Sequence, residues 1–144
     1  AEGRDKLHYT GSSTCDDARP ILDKIIRLMT VPLVQGTLRY AYKAGQTGGA
    51  DNKKGDQTAK NHAEGATFAQ ALLPLVHHCD AAAAKVVSDN MKFDGQTFAV
   101  GGGITGTKPD TLAVKAALES TYSCLGITCA QVGALSPYNP HPKP

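Results

Sequence analysis

Two short stretches of this chain hold residues that could do chemistry together. RYAYK supplies two phenols, Tyr40 and Tyr42, and KNHAEGATFAQALLPLVHHCD, from Lys60 to Asp80, supplies Glu64, His62, His77, His78, Cys79 and Asp80. Phenolate, carboxylate and imidazole are the donors a hard trivalent cation prefers to thiols. Tyrosine, glutamate and histidine are all available in these two stretches, which allows such a site.

Each of these residues also has a plain structural reading. Tyr40 and Tyr42, two residues apart, straddle an apolar stripe of Leu33, Val34, Leu38 and Ala41, as boundary tyrosines with wet hydroxyls do. Glu64 stands one turn before Phe68 and two before Leu72, at the rim of a buried stripe, where a carboxylate needs a partner. Arg39 or Lys43 is the expected one. His77 and His78 close a helix, where the dipole favours imidazolium without any metal. His62 is expected on an exposed face. Nucleophile elbow, phosphate loop, dinucleotide fingerprint and H-E-x-x-H motif are all missing, so nothing here points to an enzyme.

The elements that would position these side chains are helical. In ARPILDKIIRLM, Ile21, Leu22, Ile25, Ile26, Leu28 and Met29 fall on one side of a wheel and Asp23, Lys24 and Arg27 on the other. Pro20 belongs to the first turn of that helix, and Val31-Pro32 predicts a break before a second helix over 33–44. GQTGGADNKKGDQ, with four glycines and no large apolar residue, predicts a long flexible loop. A helix over 60–79 follows, its apolar positions Phe68, Leu72, Leu75, Val76 and Cys79 forming one stripe, with a kink or early end expected at Pro74. Asp80 can cap AAAAKVVSDNM, and Pro109-Asp110 opens a further helix that Gly126 can stop. Between them, the triple glycine at 101–103 favours a loop over a ribbon of Phe98, Val100 and Ile104. ITCAQVGAL has room for a turn or two before the proline-rich tail at 136–144. The prediction is an all-α fold, a compact bundle of about five helices forming one domain over 1–135.

With 144 residues and a formal charge of +2, the chain is one domain in size and shows no basic block for nucleic acid or an anionic membrane surface. No apolar run approaches the roughly twenty residues of a membrane span. It opens on Ala1 and Glu2, without Met or a signal-peptide core, and reads as a processed or truncated product. Cys15, Cys79, Cys124 and Cys129 fit no C-x-x-C zinc pattern and read as disulfides in preference to free buried thiols; disulfides would mean an oxidising compartment. Three pairings are open, and Cys124 with Cys129 plus Cys15 with Cys79 is the expected one, because the first closes a short loop beside a helix end.

LMTVPLVQGTLRYAYK (28–43), AEGATFAQALLPLVHHCDAAAAKVVSDNMK (63–92) and YSCLGITCAQVGAL (122–135) resemble, in the same order, the low-iron-inducible, iron-assimilating periplasmic proteins of algae, the family that includes the phytotransferrins. The resemblance covers about 17–135. It implies a secreted, periplasmic or cell-surface protein that binds ferric iron for uptake, with carbonate as a synergistic anion, and no catalysis. It makes Tyr40, Tyr42, Glu64 and His77 the matching positions and so the candidate metal ligands or ligand neighbours, with His62, His78 and Asp80 second to them. It also implies that this chain is the C-terminal part of a longer unit, with further helices ahead of Ala1, and that a missing N-terminal fragment, other subunits or cell-surface proteins are its partners. The alternative from another class is an extracellular helical adhesion or matrix module that kept the fold without a working metal site.

Overall fold

The computed structural model describes residues 15–45, 59–92 and 109–133. The two glycine-rich stretches and the proline-rich tail read as loops from the sequence lie outside the described residues. Apart from short connections, the described residues are helical: α1 (Cys15–Gly45), α2 (Ala59–Cys79), α3 (Ala81–Met91), α4 (Thr111–Leu125) and the single turn α5 (Cys129–Val132).

Local chemistry sets most of the boundaries. The Asp80 carboxylate accepts from the amides of Ala82 and Ala83 to start α3, and Asp110 accepts from Leu112 and Ala113 to start α4. Gly126, at φ +67°, takes the left-handed turn that ends α4, a conformation that costs a residue with a Cβ about 1–2 kcal/mol. Thr128 and Gln131 form a reciprocal capping box on α5.

Three proline expectations need correction. α1 is one helix of 31 residues, unbroken at Val31-Pro32, and of the two outcomes expected at Pro74, a kink or an early end, the early end does not occur: α2 runs on to Cys79. Pro32 and Pro74 are both exposed, so the carbonyls they free, those of Leu28 and Gln70, can be hydrated. Pro20 lies beyond the first turn because α1 begins at Cys15, where Asp16 and Asp17 complement the positive end of the helix dipole.

The core lies between α1, α2, α3 and α4, built on Val34, Leu38, Leu72, Val76, Val87, Val114 and Leu118. Two glycines bring α1 and α2 together. A Cβ on Gly36 would fall 2.4 Å from the Phe68 ring, and one on Gly65 would fall 2.8 Å from the Tyr40 Cβ. Those contacts fix the two helices antiparallel and in register. α4 is also antiparallel to α1: Thr111 Oγ1 donates to the Ala41 carbonyl at 3.0 Å, while Gly126, at the other end, lies against the Arg27 side chain. Gln35 Nε2 reaches the Val132 carbonyl at 2.8 Å and holds α5 to α1.

The disulfide joins Cys79 to Cys124, with Cα atoms 5.8 Å apart, and corrects the expected pairing. Cys79 ends α2 beside the last turn of α4, so the nearest thiol belongs to another helix. The left-handed turn at Gly126 carries Cys129 away; it is free and exposed. Cys15 opens α1 twelve residues before Arg27, about 18 Å along the axis from the level of Gly126, beyond the reach of a bridge to Cys79. The side chain of Cys15 is outside the described residues.

Candidate functional site

The α1–α2 register places Tyr40 against Glu64. The interaction of the phenol with the Glu64 carboxylate is the main reason the Tyr40 pKa is raised, with burial adding to it and Arg39 opposing it. The Tyr40 ring stacks on Phe68 at 5.8 Å between centroids and 19° between planes. On its flanks, the Arg39 guanidinium carbon is 6.0 Å and Lys43 Nζ 5.8 Å from the ring centroid. Phe68, Gly36 and Gly65 thus hold the phenol, and two cations stand close by.

Arg39 or Lys43 was the expected charge partner of Glu64. Both instead lie by the Tyr40 ring, and the cation beside Glu64 is Lys60, one turn earlier at 3.9 Å. Lys60 is largely exposed, and such a pair contributes roughly 0–1 kcal/mol. The phenol is the more specific partner.

The other candidates lie elsewhere. Tyr42 is two residues, about 200°, round α1 from Tyr40 and is half-buried on a different side. His77 is thirteen residues after Glu64, about 20 Å along α2. It is exposed on an open groove of about 450 Å³ between α2 and α3, with Gln70, Lys85 and Ser88. His78 is exposed. Asp80 spends a carboxylate oxygen on capping α3. His62 departs from expectation: it is half-buried, its Nε2 is buried with no hydrogen-bond partner, and burial lowers its pKa. Among the described residues no group of three or more His, Cys, Asp and Glu side chains could hold a metal ion.

The structure therefore unites Tyr40 with Glu64 and separates both from Tyr42 and His77. Sequence spacing could not place Phe68 under Tyr40, because that contact depends on which glycine of α1 meets which residue of α2. Comparisons with protein-family models, curated proteins and solved structures found no match, so the family resemblance rests on its three sequence blocks.

Proposed function

We propose that this chain is an extracellular iron(III)-binding protein, non-catalytic and serving iron assimilation, whose described ligands are the Tyr40 phenolate and the Glu64 carboxylate. The observation that carries this reading is that the α1–α2 contact sets Tyr40 against Gly65 and beside Glu64, which puts two hard oxygen donors at one place. Loading costs one proton: the phenol that Glu64 holds must ionise before it can bind the metal. Affinity should therefore rise with pH. Carbonate, the anion the resemblance implies, would be drawn by Arg39 and Lys43. The Cys79–Cys124 bridge is compatible with a secreted, periplasmic or surface location, and among the described residues no helix is long and apolar enough to cross a membrane.

Metal mass spectrometry of protein purified at neutral pH with bicarbonate tests this directly. Stoichiometric iron is expected. Tyr40→Phe and Glu64→Gln should each weaken ferric binding at least about tenfold, about 1.4 kcal/mol. Trace iron in the unsubstituted protein overturns the reading.

One observation favours the second reading, a helical adhesion or matrix module without a working metal site. Leu22, Ile25, Ile26, Leu28 and Met29 form a large apolar surface on α1 that nothing in the described bundle covers.

A further inference from the structure

We propose that Phe68 and Gly36 position the Tyr40 phenol for the metal: the Phe68 ring, seated in the notch that Gly36 leaves in α1, holds the Tyr40 ring beside Glu64. The use assigned to that hold, ferric binding, rests on the function proposed above, whereas the hold itself rests on the helix contacts.

Gly36 and Tyr40 are four residues apart on α1, and Glu64 and Phe68 four apart on α2, so each pair shares a face of its helix. The antiparallel register sets Gly36 opposite Phe68 and Tyr40 opposite Gly65. Each helix therefore sends one aromatic side chain against bare backbone of the other. A Cβ on Gly36 would lie 2.5 Å from Cγ and 2.7 Å from Cε1 of Phe68, and one on Gly65 would lie 2.8 Å from the Tyr40 Cβ and 2.9 Å from Cε of Met91. Carbon atoms in contact settle at about 3.5–4.0 Å, so neither notch admits a methyl group without movement of the aromatic residue in it.

The Phe68 ring meets α1 at two points one turn apart, the Gly36 backbone and the Tyr40 ring, which stacks on it at 5.8 Å and 19°. A half-buried phenol has room to swing towards water, and a ring seated against backbone removes that freedom on one side. The charged neighbours are less suited to the task. Arg39 and Lys43 by the Tyr40 ring, and Lys60 by Glu64, are long side chains with many rotamers. Phe68 has two rotatable bonds and stands on the helix that carries Glu64, so it fixes the phenol relative to the carboxylate. The raised pKa of Tyr40, caused first by Glu64, is the signature of the pairing so held.

Tyrosine Cζ carbon NMR of the metal-free full chain through an alkaline titration, with Tyr40→Phe assigning the signal, reads the hold directly. Phe68→Leu should bring the Tyr40 titration down towards the ordinary tyrosine value, because a phenol free to leave Glu64 ionises more easily. Gly36→Ala should do the same by displacing the ring. Adding Phe68→Leu to Gly36→Ala removes the clash, so the double variant should regain stability over Gly36→Ala while its Tyr40 titration stays low. Val114→Ala, at a fully buried site on α4, should lose stability and leave the Tyr40 titration in place. A Tyr40 titration unmoved by Phe68→Leu, restored in the double variant, or moved as far by Val114→Ala overturns the proposal. On ferric loading, Phe68→Leu should bind iron at least about tenfold more weakly, and full affinity overturns the proposal as well. The titration needs no iron: an unsubstituted chain without iron fails the metal reading, and an unmoved titration fails the hold.

Discussion

α1 is one helix with two fates. In its second half Val34, Leu38, Ala41 and Ala44 are buried, Val34 and Ala41 completely; from Leu22 to Met29 residues at least as apolar face water. The difference lies in which side of the helix carries them: Leu22, Ile25 and Met29 stand about 150° round α1 from Val34, Leu38 and Ala41, the residues that face the core. A stripe of hydrophobic residues is buried only where it points at its neighbours in the bundle.

Breaking the covered half should cost far more than trimming the bare one. Replacing Cys79 and Cys124 by Ala releases a bridge that spans 45 residues, and loop-closure entropy puts the loss at about 4 kcal/mol in denaturant unfolding. Next comes a matched pair. Leu38→Ala, at a site 4% exposed, should lose about 2–4 kcal/mol, while Leu22→Ala, at 55%, should stay within about 0.5 kcal/mol in the monomer. Equal losses would mean that the first half of α1 is folded into the bundle after all.

A smaller effect has the opposite sign. Tyr122 is buried, its hydroxyl has no hydrogen-bond partner, and burial first, then Glu119 and Cys129, push its pKa up. Tyr122→Phe should therefore stabilise by about 1 kcal/mol and raise Tm by a few degrees. The smallest effect is a pH dependence confined to the bundle. Burial lowers the His62 pKa in the folded state, so the unfolded chain binds its proton more readily. The stability this neutral imidazole contributes is complete above about pH 6.5 and is lost as the pH falls below it. His62→Phe should flatten that part of the stability profile.

How much of this was legible in the sequence follows the range of each cause. Asp80, Asp110 and Gly126 act on amides and backbone within a few residues, and the helix ends they predict are those observed. The all-α class follows from apolar spacing in the same way. Pro32 and Pro74 were misleading because their cost depends on whether the freed carbonyl meets water, which is a property of the finished surface. The Cys79–Cys124 pairing and the Tyr40–Glu64 contact join helices far apart in sequence, and glycine contacts between helices set that register. Glu64 was expected at the edge of the core in need of a partner. That the partner is a tyrosine of α1 could be seen only once the helices were docked.

The pairing of Tyr40 with Glu64 is where the proposed chemistry rests, so the most direct test is the visible spectrum of the protein on ferric loading at neutral pH with bicarbonate. A tyrosinate-to-iron charge-transfer band is predicted, absent in Tyr40→Phe and retained in Tyr42→Phe. No band in the unsubstituted chain, or a band that survives Tyr40→Phe, would contradict the account.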